Sequence, residues 1–387
     1  MTKSTRYLIV GGGMTAAAAV EGIRSQDADG AIVLVGSEAH PPYKRPPLTK
    51  KLWAGGDEQS IWYDPELGGA DTVQRRRIVS LDVDGRRAVD DQGDEYRYER
   101  VLLATGGTPR RLGGGDDEVL YFRTLDDYRG LRAAAEGGAR VVVIGGGFIG
   151  SELAASLTNV GATVTMVFPE DGIAARILPA GLSAFVTEYY RDKGVEVHVN
   201  ETVAAVDGTS VELGSGRTLT GDVVVAGLGI VPTVELAESA GLPVDNGIVV
   251  DEHGRAGGRD DVFAAGDAAN FPSPVLGRRF RVEHEDHAKT HGRVVGANMA
   301  GADEPYEHLP FFYSDMFELG YEAVGDVDAR LPTVERWEEP NRKGVVTYVD
   351  DERRPIGFLL WDTWGKVDEA RELIRAGAPV DEGVPLG

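Results

Sequence analysis

The fold is decided by the stretch RYLIVGGGMTAAAAVEGI, residues 6–23. A short apolar run enters three glycines, and the alanine-rich segment that follows is typical of a helix. A second apolar run, AIVLVG at residues 31–36, comes next, and the acid Glu38 stands just after it. Strand, glycine turn, helix, strand and acid in this order predict a βαβ unit that binds a dinucleotide.

The small residues of this unit have separate roles in that prediction. Gly11 permits the tight turn, Gly13 lets the backbone approach a pyrophosphate, and Ala16 lets the helix pack closely on the strand. The start of the helix offers free N–H groups and a partial positive charge to phosphate oxygens. Glu38 is expected to accept hydrogen bonds from a ribose.

The same pattern returns in RVVVIGGGFIGSELAASLTNVGATVTMVFPE, residues 140–170. Gly145, Gly147 and Gly150 complete the spacing G-x-G-x-x-G, and Glu170 follows about 20 residues later. An acid at this place bonds the 2′-OH of NAD and repels the 2′-phosphate of NADP, so the sequence favours NAD(H). Two dinucleotide sites in one chain indicate a flavin and a nicotinamide. The alternative is that both glycine turns are purely structural and bind no dinucleotide.

Composition excludes several other classes. The chain has 387 residues, no cysteine and a formal net charge of −23, which excludes thiolate chemistry and argues against nucleic-acid binding. The seven histidines show no zinc spacing, so no metal site is predicted. No apolar run approaches the length of a membrane span, and the strand that begins near Tyr7 leaves no room for a signal peptide. These features predict a cytoplasmic protein.

Three further segments carry candidate residues. The loop PPYKRPPLTKKLW, residues 41–53, places four cations and four prolines in an acidic chain. The segment ATGGTPR ends a predicted strand in a glycine turn. In VFAAGDAAN a strand runs into Asp267 and a predicted helix, so Asp267 either bonds a polyol chain or is a simple N-cap. The last stretch, residues 309–387, has strand-like runs followed by a helical one and predicts a further α/β domain.

With these segments the chain resembles flavoprotein pyridine-nucleotide reductases of the glutathione-reductase structural class. It is similar to ferredoxin and rubredoxin reductases, and most of all to the apoptosis-inducing-factor family. The resemblance covers nearly the whole chain. It rests on PPYKRPPLTKKLW, VVIGGGFIGSELAASL, VFAAGDAANF, LGRRFRVEHEDHAKTHGRVVGANMAG and GVVTYVDDERRPIGFLLW.

The resemblance implies roles for residues that spacing alone does not explain. Lys50 would lie by the flavin ring, paired with Glu152, and would stabilise the negative charge of the reduced ring. Phe148 would lie over the flavin and move aside for nicotinamide. The remaining implied contacts are Arg45 near the FAD phosphates, Thr105 and Gly106 along FAD, Asp267 at the ribityl chain, and Glu283 and His284 at the flavin or nicotinamide.

The sequence departs from these families at two places. Tyr313 stands where the apoptosis-inducing-factor family usually has tryptophan, which puts in doubt the stacking that prolongs a reduced-flavin complex. The redox-active cysteine pair of disulfide reductases is absent, so a cysteine-based mechanism is excluded. We therefore carry over the redox core and not a role in cell death.

Together these observations predict an α/β fold with two Rossmann-like nucleotide-binding domains, for FAD and NAD, and a smaller C-terminal α/β domain. The predicted bounds are 1–113 and 246–308 for the two parts of the FAD domain, 114–245 for the NAD domain and 309–387 for the C-terminal domain.

The predicted activity is hydride transfer from NADH to FAD, followed by electron transfer to ferredoxin, rubredoxin or a quinone. The alternatives are an NADH oxidase that uses O₂ and a redox sensor with a long-lived reduced-flavin complex. The sequence leaves open whether the protein is a monomer or a homodimer.

Overall fold

The computed structural model describes residues 2–113 and 118–382. Its contacts divide the chain into two compact units, which are described separately. Unit 1 comprises Met1–Arg45, Glu58–Thr108 and Pro232–Pro310, and unit 2 comprises Pro46–Asp57, Pro109–Val231 and Phe311–Gly387. The predicted domain boundary at 113/114 adjoins residues 114–117, which lie outside the described residues, so the domain bounds stay a prediction.

Strands and α-helices alternate around the two glycine turns, whereas runs of consecutive strands make up much of the rest of the described chain. The α-helices are α1 (Met14–Gln26), α2 (Leu125–Ala134), α3 (Phe148–Asn159), α4 (Ala180–Asp192), α5 (Glu235–Ser239), α6 (Glu285–Met299) and α7 (Val367–Ala376). The strands up to residue 167 are β1 (Thr2–Val10), β2 (Ile32–Val35), β3 (Asp71–Val73), β4 (Ile78–Asp82), β5 (Arg87–Asp90), β6 (Glu95–Leu103), β7 (Gly107–Pro109), β8 (Leu120–Tyr121), β9 (Arg140–Ile144) and β10 (Thr163–Val167).

The remaining strands are shorter in the middle of the chain and longer at its end. They are β11 (Glu196–His198), β12 (Val203–Asp207), β13 (Ser210–Leu213), β14 (Thr218–Thr220), β15 (Val223–Ala226), β16 (Ile230–Pro232), β17 (Ile248–Val249), β18 (Val262–Ala264), β19 (Ala269–Ser273), β20 (Arg278–Phe280), β21 (Phe311–Met316), β22 (Leu319–Gly325), β23 (Thr333–Glu339), β24 (Lys343–Val349) and β25 (Pro355–Trp361).

Unit 1 is built on a seven-stranded sheet in the order β3-β2-β1-β6-β5-β4, with β18 also paired to β6. The pairs β3–β2, β2–β1, β1–β6 and β6–β18 are parallel, and the β6–β5–β4 meander is antiparallel. The apolar end of β1 is buried, as parallel strands covered on both faces require. Because β18 joins β6, the segment after residue 246 completes the sheet that the N-terminal segment begins.

Helices α1 and α6 pack together in unit 1 with very little side chain between them. A Cβ on Gly22 would lie 2.0 Å from the carbonyl oxygen of Arg293, and a Cβ on Gly296 would lie 2.1 Å from that of Ala19. Such distances are far below van der Waals contact, so only glycine fits at both places. The alanines of α1 are therefore part of a close helix crossing as well as of a helix-forming run.

Unit 2 contains a five-stranded parallel sheet in the order β11-β10-β9-β15-β8. The unit β9–α3–β10 repeats the arrangement β1–α1–β2 of unit 1. A three-stranded antiparallel sheet, β12-β13-β14, follows β11. The described residues from Phe311 onward form an antiparallel sheet, β21-β22-β25-β24-β23, on which α7 packs. This architecture confirms the predicted α/β class with a C-terminal α/β region.

The prediction of a helix after Asp267 is wrong. Asp267 lies in a short 3-10 helix, Gly266–Ala268, and the chain then enters strand β19. This strand pairs with β17 on one side and β20 on the other. Sheet pairing therefore outweighs the helix preference of the alanines in this segment.

Candidate functional site

The first glycine turn lies between β1 and α1, and its glycines have different surroundings. Gly11 has φ +127°, and a Cβ there would stand 2.1 Å from the carbonyl oxygen of Ala104. Gly13 has φ −96° and ψ −167°, and a Cβ there would meet none of the described residues within 4 Å. Backbone conformation and packing thus explain why residue 11 is glycine, but they do not explain why residue 13 is glycine. The open space beside Gly13 fits the close approach of a phosphate group.

The second glycine turn, between β9 and α3, has the same geometry. Gly145 has φ +117°, and its Cβ would lie 2.5 Å from the carbonyl oxygen of Gly227. Gly147 has φ −82° and ψ −163°, and within the described chain a Cβ there would find no atom closer than 4 Å. Gly150 has no such freedom, since its Cβ would fall 1.9 Å from the Gly145 carbonyl oxygen. In the first turn the buried Ala16 takes the third small position.

Both helices that follow these turns begin with backbone N–H groups that no described side chain caps. Among the described residues, neither α1 nor α3 has a side-chain cap or an acid in its first turn. Their first N–H groups and the positive end of the helix dipole are therefore available to an anion. The donor set of both turns fits a dinucleotide pyrophosphate.

Glu38, the acid after β2, is held by two neighbours from the cationic loop. Its Oε2 accepts a hydrogen bond of 2.5 Å from the Tyr43 hydroxyl, and its Oε1 accepts one from the Arg45 guanidinium. Arg45 also donates to the Tyr43 hydroxyl at 3.0 Å. The structure therefore brings Glu38 and Arg45 together and fixes the carboxylate at the end of the strand, where a ribose is expected.

Glu170, the acid that follows β10, has a different partner. Its Oε1 accepts from Arg176 Nε at 2.9 Å, and Arg176 is 84% exposed. An exposed ion pair of this kind contributes little to stability. The Glu170 carboxylate can therefore exchange Arg176 for a ribose hydroxyl at small cost.

Lys50 and Glu152, predicted to pair, are in contact in unit 2. Lys50 Nζ lies 2.5 Å from Glu152 Oε2, and the two side chains are only 14% and 4% exposed. Glu152 Oε2 also accepts from Thr49 Oγ1 at 2.5 Å, and Oε1 accepts from Ser314 Oγ at 2.7 Å. The ammonium group lies 5.2 Å from the centre of the Tyr313 ring. Glu152 and Tyr313 thus contact the ammonium group, and Thr49 and Ser314 hold the Glu152 carboxylate in place.

Phe148, the first residue of α3, lies in an aromatic group of unit 2. Its ring is half-buried and meets Phe312 edge to face, with centroids 5.0 Å apart. Phe312 in turn contacts Tyr321 at 6.1 Å. Because Phe148 directly follows Gly147, it stands at the mouth of the second glycine turn.

Three other expected FAD residues lie just beyond strand ends of unit 1. Thr105 Oγ1 donates to the carbonyl oxygen of Thr233 at 2.6 Å, and the Gly106 carbonyl accepts from the Thr233 N–H at 3.0 Å. Asp267 is half-buried at the end of β18, one residue after Gly266, which has φ +72°. The carboxylate therefore stands at the carboxyl end of a parallel strand, where α/β sheets bind ligands.

Glu283 and His284 precede α6 in the same unit. Glu283 pairs with Arg281 at 2.8 Å, and His284 is the N-cap residue of the helix. Burial lowers the pKa of His284 to about 4, against the attraction of the Asp267 and Asp286 carboxylates. The imidazole is therefore neutral at pH 7. It lies close enough to Asp267 for the charge of that carboxylate to raise its pKa.

The site residues divide between the two units. The predicted FAD residues lie in unit 1 except Lys50, whereas Lys50 and the predicted NAD residues lie in unit 2. Among the described residues no group of acids and histidines is suited to a metal ion. In the described part of the chain no helix is long and apolar enough to cross a membrane.

Sequence reasoning did not identify Thr49, Ser314 and Tyr43, which hold the two acids. Ser314 lies 162 residues from Glu152 along the chain, so no spacing pattern connects them. Thr49 and Tyr43 stand in the quoted cationic loop. Their hydroxyl groups, on residues next to the cations Lys44 and Lys50, were the signal that could have found them.

Two family models match the chain. The model described as pyridine nucleotide-disulphide oxidoreductase matches residues 5–292. The model described as apoptosis-inducing factor, mitochondrion-associated, C-term, matches residues 295–341.

The relatives come from two groups. The chain is 34% identical to apoptosis-inducing factor 1, mitochondrial, of Dictyostelium discoideum, over 97% of this chain and 79% of the relative. It is 35% identical to the ferredoxin–NAD(+) reductase component of the anthranilate 1,2-dioxygenase system of Burkholderia cepacia, over 97% and 95%.

Solved structures resemble the chain along almost its whole length. A chain of the covalent putidaredoxin reductase–putidaredoxin complex matches with a TM-score of 0.91 and 29% identity, over 99% of this chain and 97% of the other. A ferredoxin reductase from Rhodopseudomonas palustris matches with a TM-score of 0.87 and 31% identity, over 99% and 96%. The chain belongs to the pyridine nucleotide-disulphide oxidoreductase family.

Proposed function

We propose that this protein is an NADH-dependent FAD oxidoreductase that transfers electrons to a small ferredoxin. The ferredoxin reductases of its family use FAD and NAD(H). When bound, FAD supplies the ability to accept a hydride from NADH and to release the electrons singly. The chain has no cysteine, so disulfide chemistry by the protein itself is excluded.

One observation carries the proposal. Gly13 and Gly147 have backbone angles that any residue adopts, and a Cβ on either would meet no described residue within 4 Å. Neither the fold nor its packing requires glycine at these places, yet both are glycine in two separate turns. A ligand that approaches the backbone closely accounts for both, and the first turn is assigned to FAD and the second to NAD.

The other residues then have definite tasks. In unit 1 the FAD would be held by Gly11, Gly13, Ala16, Glu38, Arg45, Thr105, Gly106, Asp267, Glu283 and His284. In unit 2 the NAD(H) would be held by Gly145, Gly147, Phe148, Gly150, Glu152 and Glu170. Lys50, held in place by Glu152, would supply a fixed cation for the negative charge that a reduced flavin carries.

The acceptor is proposed from the relatives. The Burkholderia relative and the putidaredoxin reductase of Pseudomonas putida, 30% identical over the whole chain, are both reductases of small electron carriers by name. Rubredoxin, a quinone and O₂ are the remaining acceptors. We further propose a cytoplasmic location and a monomeric or homodimeric state.

Substitution of the two unconstrained glycines tests the two cofactor assignments. For Gly147→Ala we expect a free energy of unfolding within about 0.5 kcal/mol of that of wild type, because the added methyl group meets no described residue. We expect the affinity for NADH to be at least about tenfold weaker, because the same methyl group occupies the place of the phosphate. Gly13→Ala should weaken FAD in the same way. Reduction of a ferredoxin is measured alongside. Normal cofactor binding by both variants would contradict the assignment of the turns.

A second function is favoured by one finding. Residues 295–341 match the C-terminal model of apoptosis-inducing factor, which supports an NADH redox sensor with a long-lived reduced complex. An anaerobic NADH titration followed by air separates the two functions. Return of oxidised flavin within seconds supports the reductase, whereas a long-wavelength band that persists for minutes supports the sensor.

A further inference from the structure

The His291 ring, in α6, is hydrogen-bonded to the backbone of a turn in the proposed flavin site. The ring is fully buried, and its Nδ1 accepts a hydrogen bond of 3.3 Å from the N–H of Gly266. Gly266 directly precedes Asp267, the residue expected at the flavin polyol chain. His291 is thus bonded to the turn that carries this carboxylate.

The turn at Gly266 is packed from two sides. A Cβ on Gly266 would stand 2.1 Å from Thr15 Oγ1, in the first turn of α1. Gly292, next to His291, would place a Cβ 2.5 Å from the carbonyl oxygen of Thr15. The turn and α6 therefore both rest directly on Thr15. This close packing leaves His291 little freedom to move relative to Gly266.

The protonation state of His291 follows from its contacts. An Nδ1 that accepts from an N–H carries no proton, so the proton of the neutral ring is on Nε2. The rest of the ring is surrounded by aromatic residues, with centroids 5.3 Å from Phe271, 4.8 Å from His287 and 4.5 Å from Tyr306. Burial lowers the pKa of His291 to about 3, so the ring stays a neutral acceptor at physiological pH.

We propose that His291 is a positioning residue for FAD. Its hydrogen bond to Gly266 fixes the 266–267 turn, and so holds the Asp267 carboxylate where the polyol chain binds. This inference rests on the proposed function, because it takes FAD to occupy unit 1. The competing view is that His291 only fills space in the core.

Two nearly isosteric variants separate these views. Asparagine has an acceptor oxygen close to the place of Nδ1, whereas leucine has the same shape and no acceptor. The dissociation constant of FAD is measured from the flavin fluorescence released when the holoprotein is diluted. We expect His291→Leu to weaken FAD binding at least about tenfold and His291→Asn to remain within about threefold of wild type. A space-filling role would give the opposite order, since leucine is the better filler of an apolar cavity.

The outcomes are distinct. Equal FAD affinity in wild type and both variants, or equal loss in both variants, overturns the positioning role alone. A wild-type protein without affinity for FAD overturns the proposed function and this inference with it. If the leucine variant does not fold, His291→Gln replaces it, because the glutamine amide lies one bond further out and misses the Gly266 N–H. Asparagine-like affinity in the glutamine variant would then overturn the proposal.

Discussion

Glu170 leads to a prediction about coenzyme choice. Glu170→Arg removes the acid expected to bond the ribose 2′-OH and leaves the exposed Arg176 beside a second guanidinium. Two cations attract the 2′-phosphate of NADPH. We expect the ratio of kcat/KM for NADH to that for NADPH to fall at least about tenfold, or about 1.4 kcal/mol.

Steady-state kinetics with both coenzymes measure this ratio. Asp192→Arg makes the same charge change on an exposed residue of the same unit and should leave the ratio unchanged. If the preference of Glu170→Arg equals that of wild type, Glu170 does not contact the ribose.

Lys50 leads to a second prediction, which combines stability and rate. Lys50→Met leaves the nearly buried Glu152 carboxylate with hydroxyl donors only. Removal of one partner from a buried ion pair destabilises proteins by about 3 kcal/mol or more. We also expect slower reduction of the flavin by NADH in stopped-flow measurements, because the fixed cation is lost.

The controls for Lys50 lie close by. Lys51→Met removes the same charge from the adjacent, exposed lysine and should leave the rate of flavin reduction unchanged. Adding Glu152→Gln to Lys50→Met should recover part of the stability, since the unpaired charge is removed, but not the rate. Full recovery of the rate would show that the ammonium group is not needed near the flavin.

The contacts of Lys50 also show which site residues can be predicted from the sequence and which cannot. Resemblance to a family sufficed to predict the pair of Lys50 with Glu152. The hydroxyls of Thr49 and Ser314 that complete the cluster were not predicted, because they belong to distant elements that meet only in the folded chain. The bond from Gly266 to His291 was missed for the same reason.

Among the elements, the crossing of α1 and α6 makes a clear prediction about stability. A Cβ on Gly296 would stand 2.1 Å from the Ala19 carbonyl oxygen and 2.7 Å from its Cα. Both are backbone atoms that cannot rotate away, so Gly296→Ala should cost about 1–3 kcal/mol or more. Urea unfolding measures the loss.

The matched control for Gly296 is Gly181 in α4. It is exposed, and a Cβ there would meet no atom within 4 Å in the described chain. Gly181→Ala should therefore stabilise the protein by about 0.5–1 kcal/mol, because alanine loses less backbone freedom in a helix. Equal effects at the two positions would contradict the close helix crossing.

The buried histidines of α6 lead to a prediction about how the stability of the protein depends on pH. Burial lowers the pKa of His291 to about 3 and the pKa of His287 well below its usual value, so both rings stay neutral in the folded protein. In the unfolded chain histidine binds a proton near pH 6.5. The unfolded state therefore binds more protons as the pH falls, and stability is lost from about pH 6.5 downwards.

Each buried histidine contributes up to about 1.4 kcal/mol per pH unit in that range. Urea unfolding at pH 7, 6 and 5 measures the slope. His291→Asn removes one titrating group and should reduce the slope by up to that amount. An unchanged slope in this variant would show that His291 is protonated in the folded protein.

Elements differ in how well the sequence predicts them. The two βαβ units follow from local patterns, and both strand–turn–helix–strand series are present as predicted. The segment after Asp267 was predicted wrongly, because the pairing of β19 with β17 and β20 involves residues that the local pattern does not include.

For the whole molecule, the net charge of −23 bears on the choice of carrier. Composition gives this charge but not where cations gather, and the adjacent Arg278 and Arg279 of β20 are a candidate docking patch for an acidic carrier. In the structure the Arg279 guanidinium donates to Asn270 and to the Val250 carbonyl oxygen, and Arg278 lies over Phe280. The partners named here are uncharged, so both exposed arginines keep their positive charge, but two charges offset only a small part of the net charge of −23.

Repulsion between like charges predicts an unusual salt dependence. The Debye length falls from about 30 Å at 10 mM salt to about 10 Å at 100 mM, so added salt screens the repulsion between this protein and an acidic ferredoxin. We expect kcat/KM for an acidic ferredoxin to rise at least about threefold over this range, and kcat/KM for the neutral acceptor 1,4-benzoquinone to stay constant. A fall with ferredoxin would mean that a local basic surface governs docking. A parallel rise with benzoquinone would place the salt effect in the steps before the acceptor, because the two acceptors share only the reaction with NADH.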